Sequence, residues 1–164
     1  MASQIDYSES LSSKRTEVLF VALTLLFAGL WVGRRWAIGW DALGILLAVS
    51  AAFFAFYALN YRELHIRLTS DGLTLRFGIF TWRVAASNME RWSVDETSLW
   101  RIGGAGIHFS PIAGRYRAMF NFLEHPRIVI ALKVKQGLVR DVAFSTGNPE
   151  HVLQLIHAMC SGSP

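Results

Sequence analysis

VLFVALTLLFAGLWVGRRWAIGWDALGILLAVSAAFFAFYALNY, residues Val18–Tyr61, is an apolar run whose only charges are Arg34, Arg35 and Asp41. A bilayer-spanning helix needs about 20 apolar residues, within a range of roughly 17–25. Residues 41–61 meet that length and residues 16–33 approach it. The run therefore reads as two antiparallel transmembrane helices joined by a short turn. Asp41 stands where an N-cap belongs, accepting from the free backbone donors that open the second helix. Trp31, Trp36 and Trp40 flank the turn beside Arg34 and Arg35, as indoles and guanidiniums do at headgroup level.

Two other readings of the run fit less well. A signal peptide would show a small-x-small cleavage site after its apolar core, whereas Arg34-Arg35-Trp36 follows here and a second apolar segment comes next. A soluble helical hairpin would need a large core around it, and 164 residues leave too little protein to bury two such segments. Small residues, namely Gly29, Gly33, Gly44, Ala48, Ser50, Ala51, Ala52 and Ala55, offer surfaces for close helix packing. Lys14, Arg15, Arg62 and Arg67 outnumber Arg34 and Arg35. By the positive-inside rule, both termini lie in the cytoplasm of a multi-pass inner (plasma) membrane protein.

Outward from the run, residues 1–15 are polar and Ser-rich and read as a flexible tail. Beyond it, residues 62–160 change to a period of two. Leu64, Ile66 and Leu68 alternate with His65, Arg67 and Thr69, Ser70-Asp71-Gly72 is a turn, and Leu73, Leu75 and Phe77 resume the alternation. Residues 82–85, 89–94, 117–122, 128–134 and 138–145 read as further strands, with Lys135-Gln136-Gly137 turning the last pair. Asn148, Pro149 and Glu150 open a terminal helix over about 149–159, with Val152, Leu155, Ile156 and Met159 on one stripe. The expected fold class is an α+β membrane protein: a two-helix hairpin, then an antiparallel β-barrel or sandwich of about seven strands closed by a C-terminal helix.

Three words within that pattern are Leu73-Thr74-Leu75-Arg76-Phe77-Gly78, Gly103-Gly104-Ala105-Gly106-Ile107 and Phe144-Ser145-Thr146-Gly147-Asn148-Pro149-Glu150. With the strand order and terminal helix, residues 62–158 resemble the bacterial pleckstrin-homology-like domain of small membrane proteins. In that family the domain commonly follows one or two transmembrane helices. The resemblance implies a fold and a membrane setting and little chemistry.

Candidate sites are few. The glycine word lacks the Gly-Lys-Ser/Thr of a Walker A motif and opens no helix, so bulge or turn duty fits it better than a phosphate cradle. The first hairpin turn, Thr69-Ser70-Asp71-Gly72, carries no base, which argues against a phosphoinositide site of the eukaryotic kind. Arg62, Arg67, Arg76, Arg115 and Arg117 form at most a diffuse basic face, worth on the order of 1 kcal/mol per contact with anionic lipid. Trp82, Trp92 and Trp100 fill the core, wedge against the bilayer or form an aromatic patch for a partner. The net charge of +4 includes no basic run of the kind that binds nucleic acid. No metal-ligand spacing, cofactor motif or nucleophile–base pair is visible, and Cys160 has no partner for an internal disulfide. These features point to a non-catalytic binding or scaffolding module at the cytoplasmic membrane surface. An accessory subunit of a larger membrane complex is the alternative. Its partners would be the lipid bilayer and membrane proteins or further copies of itself, with no nucleic acid and no cofactor.

Overall fold

The structure, a computed structural model, describes residues 6–102 and 104–161, apart from the side chains of Leu99 and Trp100. Strand β1 (Asp6–Ser12) leads through one residue into α1 (Lys14–Ala37). That residue, Ser13, caps the helix by accepting from the Thr16 amide at 3.1 Å. Helix α2 (Ala42–Asn60) returns alongside it, capped by Asp41, which accepts from the Gly44 amide at 2.9 Å. The two helices pack through Phe20, Phe27, Phe54 and Tyr57, with ring centroids 5.3–6.5 Å apart. At 24 and 19 residues they span about 36 and 28 Å at a rise of ~1.5 Å per residue. Both are long and apolar enough to cross a bilayer. Their apolar side chains face outward, with Leu25 68% and Leu59 73% exposed, so neither is the core helix of a water-soluble domain. Helix α1 outruns the expected 16–33 and carries through Arg34 and Arg35, whose charges suit the negative end of a helix.

Beyond α2, the chain folds into two sheets. The first has the order β1, β2 (Glu63–Thr69), β3 (Gly72–Phe77), β4 (Phe80–Ala85), all antiparallel. The second contains β5 (Met89–Val94), β6 (Gly106–Ile112), β7 (Arg115–Asn121), β8 (Arg127–Gln136) and β9 (Val139–Ser145), in the order β5-β8-β9-β7-β6. Helix α3 (Leu99–Ile102) precedes β6, and α4 (Pro149–Ser161) ends the described chain.

This architecture departs from the expected one at four points. The polar tail supplies a strand: Tyr7, Glu9 and Leu11 turn inward along β1 while Ser8 and Ser10 turn outward, and every residue from Asp6 to Ser12 has a partner on β2. Glu9 accepts from the Thr146 hydroxyl at 2.6 Å and the Gly147 amide at 2.7 Å, clamping β1 to the start of α4. Nine strands form among the described residues, not about seven. The second sheet is mixed, because the β8–β9 hairpin folds back into a gap beside β7, leaving β9 parallel to it. The sheets do not close into a barrel, since β4 and β6 are each an unpaired edge.

The core lies between the sheets. Leu64, Ile66, Leu68, Leu75 and Phe77 meet Phe120, Phe122, Ile128, Ile130 and Phe144, all 1% exposed or less. Helix α4 adds Val152, Ile156 and Met159 from the stripe legible in the sequence, while its fourth member, Leu155, is only partly buried. A smaller cluster of Ile102, Met119 and Ala143 lies apart from this core, where α3 covers the second sheet.

Beside that cluster sits a buried ion network. Asp95 accepts from Arg117 at 3.0 Å, from Arg127 at 3.2 Å and from the Thr97 hydroxyl at 2.6 Å. Asp141 accepts from Arg115 at 2.8 Å and lies 3.8 Å from Arg117. Burial alone would raise the Asp95 carboxyl, but the Thr97 hydroxyl, the two guanidiniums and the Thr97 amide hold it below its ordinary value. Removing the carboxylate leaves Arg127 without a carboxylate and Arg117 with only the more distant Asp141, so Asp95→Ala should cost about 3–5 kcal/mol in denaturant unfolding. Because the folded value is depressed, the stabilisation is complete above the unfolded carboxylate range and is lost as pH falls through the folded value. The gap in unfolding midpoint between the natural chain and Asp95→Asn should thus be wide at neutral pH and shrink below about pH 4. A gap independent of pH would contradict this account.

Candidate functional site

The free ends of the helical hairpin and one end of the two sheets meet at a single junction. Tyr61, 4% exposed, follows α2 directly and packs on Tyr57 (4.5 Å), Phe77 (4.8 Å) and Phe80 (6.3 Å). Phe77 in turn meets Phe122 at 5.1 Å, so an aromatic column runs from α2 into the core. At the start of α1, Glu17 pairs with Arg62 at 3.0 Å and Arg15 with Glu124 at 3.4 Å. The tip of the β3–β4 hairpin rests on the last turn of α2. Gly78 adopts φ +59°, and a Cβ there would lie 2.3 Å from the Asn60 carbonyl oxygen. Glycine meets both demands, the left-handed backbone and the close approach.

On one side of this junction is an open polar hollow of about 530 Å³, lined by Ser12, Glu17, Asn60, Arg62, Glu63, His65, Arg76 and Gly78. The pairing register puts Ser10, His65 and Arg76 in one row across β1, β2 and β3. Ser10 Oγ donates to Glu63 at 2.5 Å and lies 2.9 Å from His65 Nδ1. Arg76 Nε donates to the Gly78 carbonyl at 3.3 Å. Two guanidiniums and an imidazole thus share the hollow with two carboxylates. The guanidiniums among these groups are donors of the kind that pair with a lipid phosphate.

On the other side the lining turns aromatic. A cavity of about 380 Å³ lies among Tyr57, Tyr61, Phe80, Trp82, Ile107, Phe109 and Phe120. Tyr57 separates it from a second hollow of about 400 Å³ that reaches Phe20, Phe54 and His108. Burial holds the His108 imidazole below its ordinary value, against the opposing pull of the Ala105 carbonyl 2.5 Å from Nε2. Gly104 and Gly106 adopt φ +94° and +100° in the turn that enters β6, while Gly103 lies outside the described residues.

The residues singled out from the sequence are distributed over this frame. Arg62 and Arg76 share the polar hollow and Trp82 lines the aromatic cavity. Arg67 is exposed, 3.7 Å from Asp6. Arg117 is buried and Arg115 half-buried in the ion network, so neither is a free surface cation. Both line an open groove of about 590 Å³ with Arg91, Trp92 and Ser93, and the Trp92 ring lies 6.2 Å from that of His157 on α4. The Trp100 side chain lies outside the described residues. Trp31, Arg34, Arg35, Trp36 and Trp40 gather at the far end of the hairpin. There Arg34 Nε donates to both oxygens of Asp41 at 3.0 Å, Arg35 lies 4.8 Å above the Trp40 ring, and Trp36 is 88% exposed. Glu17, His65 and Tyr57 belong to the junction without having been singled out as site residues, and Gly78 stood out in the sequence only as the end of the word Leu73–Gly78. Among the described residues no group of three His, Cys, Asp or Glu side chains is placed to hold a metal ion. No protein-family model, curated protein or solved structure matches the chain.

Gly78→Ala should cost at least about 1–2 kcal/mol from the left-handed backbone alone, with the overlap on Asn60 added. Hydrogen exchange at the Ile79 and Phe80 amides should speed up in the variant. A variant of unchanged stability and exchange would mean that the hairpin tip does not rest on α2.

Proposed function

We propose that this chain is a non-catalytic binding module with a pleckstrin-homology-like β-sandwich, anchored in a bacterial inner membrane by α1 and α2. The module would work at the cytoplasmic surface, and its ligands would be lipid headgroups or neighbouring membrane proteins. One observation carries the reading: strands β1 and β2 are joined to α1 and α2 through one and two residues, with Tyr61 buried at the join. No linker lets the sheets move away from the helix ends. Whatever occupies the polar hollow must therefore come from the boundary level of the membrane. The four-stranded sheet and the terminal helix over the core favour the pleckstrin-homology-like comparison, while the parallel β7–β9 pair departs from an all-antiparallel sandwich.

A second reading, as a subunit of a larger membrane complex, is favoured by α1. A Cβ at Gly29 or Gly33, one turn apart, would meet nothing within 4 Å. That small-residue face is unused by α2 and is of the kind that lets another helix approach closely. Purification in mild detergent with mass analysis separates the readings: stoichiometric companion chains favour the subunit, and a lone chain or homo-oligomer removes it.

Two further outcomes are expected. In a Cys160→Ser background, Gly39→Cys should react with an impermeant maleimide added to spheroplasts, and Ser8→Cys only after permeabilisation; the reverse pattern would invert the topology. Phosphatidylglycerol added to detergent micelles should raise the melting temperature of the natural chain more than phosphatidylcholine does. The Arg62→Glu, Arg76→Glu double variant should lose that difference, and an undiminished difference would dismiss the hollow as a headgroup site.

A further inference from the structure

The two sheets leave two openings between their edges. One lies by β1 and β5 and is covered by α4, where Tyr7 meets His151 at 5.4 Å and Trp92 faces His157. The other lies between the unpaired edges β4 and β6, and no segment of the described chain covers it. Its walls are Trp82 on β4 and Ile107 and Phe109 on β6, and its base is Phe120, 1% exposed in the core. Its remaining wall is the last turn of α2, through Tyr57 and Tyr61. Trp82 packs on Phe109 at 6.1 Å and on Phe120 at 6.3 Å, so the slot leads from the surface into the sandwich.

From this arrangement we infer that the β4–β6 slot takes up one acyl chain of a membrane lipid, whose ester oxygen accepts from the Trp82 indole. This deepens the proposed anchoring of the chain and rests on it. Three observations select a lipid over a partner from water. The slot is walled by the end of an apolar helix long enough to cross a bilayer, so its mouth adjoins the surface that lipid would cover. Its rim is exposed and apolar at Ile79 (71%), Phe80 (42%) and Phe109 (48%), contiguous with the α2 end through the Gly78 contact. Trp82 Nε1 is buried and has no acceptor among the described residues. An unpaired buried donor of this kind is satisfied by a ligand oxygen, which an acyl ester carries at the head of its chain.

The test uses the full chain in phosphatidylcholine–phosphatidylglycerol vesicles doped with a phosphatidylcholine bearing a diazirine near the end of one acyl chain. After irradiation, peptide mapping should find adducts on Trp82, Ile107 or Phe120 as well as on the outer faces of α1 and α2. Ile107→Trp, which fills the slot, should lower the slot adducts at least about fivefold and leave the helix adducts unchanged. Labelled helices with a bare slot in the natural chain would overturn the inference and leave the anchoring intact. Unlabelled helices, in a chain that does not float with the vesicles, would overturn the anchoring itself. A slot free of lipid whose β4 amides are protected from exchange in the same vesicles would replace the lipid with a partner strand on that edge.

Discussion

The aromatic column Tyr57–Tyr61–Phe77–Phe122 is the constraint on which the rest of the molecule depends. It begins on the last turn of an apolar helix and ends between the two sheets, with each ring in contact with the next. Each ring buries a large apolar area, and edge-to-face contacts add to that burial. Because the column is shared, helix α2 and the first sheet cannot reorient independently. The hairpin ends, the Gly78 turn and the polar hollow then take their positions from it. The ion pairs around the junction, Glu17–Arg62 and Arg15–Glu124, are exposed and contribute little by comparison.

The parts of this fold that repeat a period were legible in the sequence. Alternation placed Leu64, Ile66, Leu68, Leu73, Leu75 and Phe77 on the core face of one hairpin, and the α4 stripe named its buried residues. Strand β1 was not legible, since only Tyr7 and Leu11 are apolar within it and its inward Glu9 is held by Thr146 and Gly147, far along the chain. The mixed second sheet was hidden for a related reason. Its parallel pair forms by insertion of a later hairpin, and nothing local in β7 or β9 records that choice.

The arginines show where alternation misleads. Arg115 and Arg117 occupy outward positions on β7, and outward in a strand pattern reads as solvated. Here the outer face of the second sheet is itself covered, because residues 95–102 fold over it with Ile102 on Met119 and Asp95 between Arg117 and Arg127. Arg117 holds that segment through Asp95, while Arg115 pairs with Asp141 on β9. Arg62 and Arg76, which looked no different in sequence, lie beside no such cover and line the open hollow at the helix ends. The aromatic slot was illegible because Tyr57 and Tyr61 look like ordinary residues of an apolar helix end, and only the unpaired β4 and β6 edges give them a cavity to face.

Strand β1 precedes the helical hairpin and its partner β2 follows it, yet the two are hydrogen-bonded neighbours along their whole length. For a chain inserted in a membrane, this order makes the first sheet a check on insertion. If only one helix crossed, β1 and β2 would emerge on opposite sides of the bilayer and could never pair. Glu9 would then have no α4 to clamp, and Leu64, Ile66 and Leu68 would be left on an uncovered edge strand. Such a strand invites recognition by quality-control proteases. In such a chain the crossing of both helices and the stability of the domain beyond them would be tested together by a seven-residue strand.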